Sequence, residues 1–245
     1  MKLLHFPRDK EEIASILEKA ELASLMVPFV TEDAVKETCR QAVKYGMAAV
    51  LAVPDICSQT AKILKGTGVA PVCVVSAMEV GDNDHAGRLN CIREQLKLGV
   101  CDVDIGVPIG MVLDGEFSEL TKEIKDMAEL LHAKGGRLGV ILEIDQFNAT
   151  QLFGLCDSAV AGGADYLRIS SGMEAIGAVN IGRATIHNVA ALHERYGGKI
   201  KIKAGGGWDF AYLEDCVEYI ESGASRVDAG PCTITQLEQI GYGRG

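Results

Sequence analysis

The chain has 245 residues, of which 48% are hydrophobic, and a formal net charge of −10. This size and composition can bury the core of a single α/β domain spanning residues 1–245. The negative charge argues against nucleic acid or an anionic membrane as a partner. No apolar run reaches transmembrane length, and residues 1–7 do not form a signal peptide, so a cytoplasmic location is expected.

The eight cysteines include no C-x-x-C pair, and most of them lie within apolar patterns. A disulfide framework is not expected in a chain of this length. The pattern favours buried thiols in a reducing compartment.

Residues 8–20 have an acidic start and apolar residues at helical spacing, which predicts a preliminary helix. Apolar strand-like runs then alternate with amphipathic helices to the end of the chain. The predicted strands are residues 22–27, 47–53, 69–76, 101–107, 138–144, 164–169, 199–203 and 225–229. The helices between them include residues 54–64, 117–133, 149–161, 183–196, 208–220 and 233–240.

These segments make eight βα units in one chain. Nearly continuous apolar strands are typical of a parallel sheet that is covered on both faces. The count and the chain length predict a (β/α)8 TIM barrel preceded by a short extra helix. A doubly wound open sheet is the alternative.

The seventh strand carries the clearest chemical signal. Lysine and isoleucine alternate from residue 199 to Lys203, and Gly205, Gly206 and Gly207 follow. A glycine turn between a strand and the predicted helix 208–220 can present backbone N–H groups to an anion. The ammonium of Lys203 would lie beside that anion. This arrangement predicts a site for a small phosphorylated carbonyl compound.

In such barrels the active site lies at the carboxyl ends of the strands. That rule selects Asp104, Glu143, Arg168 and Lys203 as candidate catalytic residues. Asp104 shares a strand face with Asp102, and a carboxylate on a buried strand needs a partner. Arg168 and Lys203 are the expected counter-charges.

Ser170, Ser171 and Gly172 follow the sixth strand and offer hydroxyl and N–H groups to the ligand. The carboxylates of Asp102, Asp104 and Glu143 could hold Mg²⁺. No histidine accompanies them, so no metal or other cofactor is expected.

Five segments resemble the deoxyribose-phosphate aldolase family of class I aldolases. CDVDIGVP (101–108) is similar to that family's fourth strand, and LGVILEID (138–145) is similar to its fifth. AVAGGADYLRISSG (159–172) resembles its sixth strand. IKAGGG (202–207) and ESGASR (221–226) resemble its lysine–glycine and phosphate-loop segments.

The resemblance implies an imine between a sixth-strand lysine and the substrate, with a seventh-strand lysine that tunes its pKa. Lys203 matches the tuning lysine, and Asp104 matches the proton-shuttling aspartate. The phosphate contacts carry over to Gly172, Gly206 and Gly207, and to Ser225 with Gly223 in the 221–226 segment. By the predicted strand bounds, however, Gly223 precedes the eighth strand and Ser225 begins it, so both would lie at the other end of the barrel.

This sequence departs from the family pattern in several places. Arg168 stands at the imine-forming position, where a guanidinium cannot serve as the amine. The family's Asp-His-Thr is not recognisable in residues 22–27. Gly139 replaces the lysine usual in the fifth strand, and residues 78–82 replace an Asn-Phe-Pro-x-Gly pattern.

Three hypotheses remain open. In the first, the chain is a divergent aldolase whose nucleophile is Lys203, with a pKa lowered by Arg168 and burial. In the second, it is a sugar-phosphate isomerase or epimerase that uses Glu143 or Asp104 as its base. In the third, it binds a phosphorylated metabolite without turnover. A homodimer is expected from the resemblance alone.

Overall fold

The computed structural model describes residues 9–26, 30–75, 84–172, 184–206 and 211–243. In these ranges eight parallel strands pair in chain order and close into a barrel. They are β1 Ala20–Leu25, β2 Ala49–Ala52, β3 Ala70–Val75, β4 Asp102–Gly106, β5 Arg137–Ile141, β6 Tyr166–Arg168, β7 Lys201–Ala204 and β8 Arg226–Ala229. The pairing of β1 with β8 excludes the open sheet. The predicted (β/α)8 barrel is confirmed.

Ten α-helices lie in the described ranges. They are α1 Lys10–Leu17, α2 Glu32–Tyr45, α3 Pro54–Leu64, α4 His85–Lys97, α5 Ile109–Asp114, α6 Phe117–His132, α7 Ala149–Ala161, α8 Ile186–Tyr196, α9 Leu213–Glu221 and α10 Pro231–Gln239. None of these helices has the length and apolar character needed to cross a membrane.

Local signals in the sequence explain where several helices begin. Thr31, Asp84, Asn148 and Thr185 each accept a hydrogen bond from a backbone N–H in the first turn of the helix that follows. Such caps satisfy donors that have no partner inside the helix. Each cap therefore fixes the point at which a helix starts its return along the barrel.

Alternate residues of the strands build two apolar clusters. Cys73 and Val75 of β3 belong to a large cluster that joins the strands to the helices. Val72 and Val74 belong to a smaller cluster with Leu51 of β2. Since successive side chains of a strand point to opposite faces, the smaller cluster fills the barrel interior on this side. Charged side chains occupy the interior beside it.

The structure corrects several element bounds. Helix α5, after β4, was not predicted. The fifth strand ends at Ile141, and Ile144–Gln146 form a 3₁₀ turn, so Glu143 is not a strand residue. The helix predicted over 208–220 begins at Leu213. Residues 207–210 and 78–82 lie outside the described ranges.

Candidate active site

Five charged side chains from five strands meet inside the barrel. They are Glu21 of β1, Asp104 of β4, Arg168 of β6, Lys203 of β7 and Asp228 of β8, and none is more than 4% exposed. Three carboxylates therefore face two cations in a region that excludes water. Groups of this kind are stable when buried only if they pair with one another. Three of the five had been predicted from the sequence.

Lys203 lies between two carboxylates. Its Nζ atom is 3.0 and 3.1 Å from the oxygens of Asp104 and 3.1 Å from Oε1 of Glu21. The ring of Tyr166 lies beneath the ammonium, with its centroid 4.8 Å from Nζ. The side chain thus points into the barrel, as the barrel rule predicts for this position.

The hypothesis that the pKa of Lys203 is lowered is wrong. Burial lowers this pKa, but the Asp104 and Glu21 carboxylates outweigh burial and the repulsion from Arg168, so the pKa of Lys203 is raised. The amine is protonated at rest. Burial in turn raises the pKa of Glu21, against the opposing attraction of Lys203.

Arg168 forms a two-pronged ion pair with Asp228. Its two terminal nitrogens lie 3.0 and 2.6 Å from the two carboxylate oxygens, which is the geometry in which guanidinium binds carboxylate best. Nη1 also lies 3.6 Å from Asp104 and 3.7 Å from Glu21. Burial lowers the pKa of Arg168, but the three carboxylates outweigh it and the pKa is raised. Arg168 therefore acts as a fixed positive charge.

Asp104 occupies space left by a glycine on the neighbouring strand. It pairs in register with Gly139 of β5, and a Cβ atom at residue 139 would overlap the Asp104 carboxylate. In this chain the carboxylate therefore takes the position it has because residue 139 has no side chain. Asp102 instead pairs with Arg137, at the start of β5, and not with either of the two predicted partners.

Glu143 binds the groups that were expected to hold a phosphate. Its carboxylate accepts hydrogen bonds from the Ser170 hydroxyl at 2.8 Å and the Ser171 N–H at 3.2 Å. The Ser170 oxygen also accepts from Gly172 N–H at 3.1 Å. The backbone of Glu143 has a φ of +43°, a conformation that non-glycine residues rarely adopt.

The glycine turn after β7 likewise donates a hydrogen bond to a carboxylate of the protein. Gly206 N–H donates to Oδ2 of Asp228 at 3.0 Å. Gly205 packs against Arg168, and a Cβ atom there would lie 2.7 Å from the guanidinium carbon. Ala211 and Tyr212 are not helical, so α9 does not begin directly behind Gly206 as expected. Gly207 lies outside the described residues.

Gly223 and Ser225 lie at the wrong end of the barrel for the predicted phosphate contact. Both precede β8, and Ser225 N–H donates to the carbonyl of Ile202 near the start of β7. A Cβ atom at Gly223 would overlap His193, near the carboxyl end of α8. This position agrees with the strand bounds predicted from the sequence, and it does not fit the phosphate contact that the resemblance implies for the 221–226 segment.

Glu21 and Asp228 were not predicted from the sequence. Glu21 stands one residue before the predicted first strand, and Asp228 lies inside the predicted eighth strand. A carboxylate within an apolar run was the available signal for Asp228, since such a residue needs a buried partner. For Glu21 the strand would first have had to be extended to Ala20.

Some of the buried cysteines have raised pKa values. Burial raises the pKa of Cys39 to about 11 and that of Cys216 to about 12, so both stay protonated. Across the described ranges no group of three or more His, Cys, Asp or Glu residues is arranged to hold a metal ion.

A parallel barrel with a buried lysine, carboxylates and an arginine at its centre is the framework of a barrel enzyme. No protein-family model matches the chain. A deoxyribose-phosphate aldolase of Crocosphaera subtropica is 31% identical over 204 residues, which are 83% of this chain and 86% of that protein. One of Caldanaerobacter subterraneus is 28% identical over 96% of this chain and 99% of its own length.

A solved deoxyribose phosphate aldolase of Aeropyrum pernix, described as a tetramer, has the same fold. It superposes with a TM-score of 0.77 at 21% identity and covers 93% of this chain and 92% of its own. The 31% identity to the Crocosphaera subtropica protein shows that the chain belongs to the deoxyribose-phosphate aldolase family. That family consists of aldolase-type carbon–carbon lyases, so the resemblance seen in the sequence is confirmed.

Proposed function

We propose that the chain is an aldolase in which Lys203 has taken over as the imine-forming amine. The observation that carries this proposal is the position of Nζ, within 3.1 Å of two carboxylates that can accept its proton. Arg168, at the family's imine position, cannot supply a free amine. The substrate is a small 3-hydroxy carbonyl compound, and the names of the relatives make 2-deoxyribose 5-phosphate the first compound to test.

The reaction begins with transfer of the Lys203 proton to Asp104 or Glu21. The amine then adds to the substrate carbonyl carbon, and loss of water leaves a protonated imine. A carboxylate takes the proton of the 3-hydroxyl group, the bond between C2 and C3 breaks, and its electrons form the C1–C2 double bond of an enamine as the imine nitrogen becomes neutral. An aldehyde leaves, and the remaining enamine is protonated and hydrolysed to the second carbonyl product.

The neighbouring residues set the conditions for these steps. Arg168 lies beside the carboxylates of Asp104 and Asp228 and offsets part of their negative charge during these steps. The ring of Tyr166 covers one side of Nζ. Glu143, Ser170, Ser171 and Gly172 form the rim above β5 and β6 and would face the part of the substrate farthest from the imine.

Borohydride trapping tests the proposal directly. Wild-type protein incubated with acetaldehyde and sodium borohydride should gain a stable mass increase on the peptide that contains Lys203. Lys203→Met should lower kcat by about a thousand-fold or more, the scale on which removal of a nucleophile acts. Lys201→Met is the matched control, because Lys201 lies on the same strand with an exposed side chain.

The other outcomes separate the competing hypotheses. Turnover of a sugar phosphate without any trapped adduct would point to an isomerase or epimerase that uses Lys203 only as a cation. Ligand binding with neither turnover nor adduct would point to a binding protein. A dimeric assembly and a cytoplasmic location are further expectations of the proposal, and gel filtration and cell fractionation test them.

A further inference from the structure

The ring of anion-binding groups above β6 and β7 holds a carboxylate of the protein itself. Asp228 accepts hydrogen bonds from both terminal nitrogens of Arg168 and from Gly206 N–H. A guanidinium and a glycine N–H are the donors that would bind a substrate phosphate at this place in a barrel. Here the side chain of residue 228 takes their hydrogen bonds.

The neighbouring loop repeats this arrangement. The carboxylate of Glu143 takes the hydrogen bonds of the Ser170 hydroxyl and the Ser171 N–H. The donors after β6 thus bind the Glu143 carboxylate, and the donors of Arg168 and Gly206 bind the Asp228 carboxylate. An incoming phosphate would meet carboxylates in both places.

The buried charges add a second argument. Glu21, Asp104 and Asp228 already outnumber Arg168 and Lys203, and among the described residues Oε2 of Glu21 has no hydrogen-bond partner. A phosphate could bind the two terminal nitrogens of Arg168 only by displacing Asp228, whose carboxylate would then be buried without its counter-charge. Uncompensated buried charge is strongly unfavourable.

We propose that Asp228 is a specificity-determining residue that closes the phosphate site, so that the substrate is an unphosphorylated hydroxyaldehyde. This inference rests on the proposed aldolase function and names the substrate class of the same site. Asp228 supplies from the protein the negative charge that a phosphorylated substrate would bring. The far end of the substrate then carries hydroxyl groups, which Ser170 and Glu143 can bind.

The test compares 2-deoxyribose with 2-deoxyribose 5-phosphate. For the wild-type protein, kcat/KM for 2-deoxyribose should exceed that for the phosphate ester. In Asp228→Asn, which keeps the shape but removes the charge, the ratio of kcat/KM for the ester to that for the sugar should rise at least ten-fold. Asp102→Asn, an equal change in the carboxylate paired with Arg137, should leave the ratio unchanged.

The wild-type measurement remains decisive if Asp228→Asn does not fold. A higher kcat/KM for the phosphate ester in the wild-type protein would overturn the inference, and so would a variant ratio equal to that of the wild type. If neither compound is cleaved, the proposed function fails, and calorimetric binding decides the inference alone. Tighter wild-type binding of 2-deoxyribose supports it, and tighter binding of the ester overturns it.

Discussion

The carboxylate of Asp104 faces β5 at residue 139, where a Cβ atom would overlap it. The hydrogen bonds between Asp104 and Lys203 therefore require that residue 139 has no side chain. Any substitution at residue 139 must push the carboxylate away from the ammonium or spread the two strands. Both changes act on the centre of the charged cluster.

We expect Gly139→Ala to lower the free energy of unfolding by about 1–3 kcal/mol, the usual effect of overpacking a buried site. Turnover should fall as well, because Asp104 moves relative to Lys203. Urea denaturation and steady-state kinetics measure the two effects.

Gly110→Ala is the control for this change. A Cβ atom at residue 110, in α5, would meet nothing within 4 Å, so this variant should be as stable as the wild type or more stable. Equal stability of the two variants would contradict the packing argument.

At the residue scale, the sequence predicted Asp104 and Lys203 as interior residues because their strands and their alternation could be read. It could not predict that Arg168 pairs with Asp228, since 60 residues separate the two and the pairing depends on barrel closure. The predicted direction of the pKa shift of Lys203 was wrong for the same reason. Its second carboxylate, Glu21, comes from a strand at the other end of the chain.

The helices illustrate how local chemistry fixes an element. Asn148 precedes α7, and its side chain accepts from Gln151 N–H while the Gln151 side chain accepts from Asn148 N–H. This reciprocal pair satisfies two donors at the start of the helix. The helix predicted to begin at residue 149 does begin there.

We expect Asn148→Ala to lower the free energy of unfolding by about 1 kcal/mol, the typical effect of losing a helix cap. Thr150→Ala, an exposed change in the first turn of the same helix, is the control and should be nearly neutral. Thermal or urea unfolding followed by circular dichroism measures both. An equal loss in the two variants would show that the cap contributes nothing.

The end of β5 could not be predicted, because the hydrophobic pattern continues past the residue at which the backbone leaves the strand conformation. Residues 138–144 were predicted as one strand, yet β5 ends at Ile141 and the chain turns at Glu143 with a positive φ. The hydrogen bonds from Ser170 and Ser171 hold the Glu143 carboxylate in that turn, and they come from another loop. A contact of this kind has no signal in the local sequence.

On the scale of the whole molecule, the charged cluster joins the first strand to the fourth, sixth, seventh and eighth strands. Lys203 is protonated at rest because Asp104 and Glu21 raise its pKa against the effect of burial. If Lys203 forms the imine, trapping by borohydride should increase with pH from neutral to alkaline conditions, since only the free amine reacts.

Glu21→Gln removes one of the two carboxylates that raise this pKa. The pH profile of trapping should therefore move to lower pH, because a ten-fold larger fraction of free amine near neutrality accompanies a fall of about one in the pKa. Glu11→Gln, the same change on the exposed face of α1, is the control for net charge and should leave the profile in place. A profile that does not move in Glu21→Gln would show that Glu21 does not control the amine.

The pairing of Arg168 with Asp228 has a consequence for redesign of the barrel. Each of the two charges can be buried inside the barrel only because the other is present. Replacing either one alone by an uncharged or like-charged residue leaves the other as an unpaired buried charge. Libraries that vary one codon at a time would lose most such variants to misfolding before activity could be scored. Exchanges that reverse either charge should therefore be recovered mainly where both codons are randomised in the same gene.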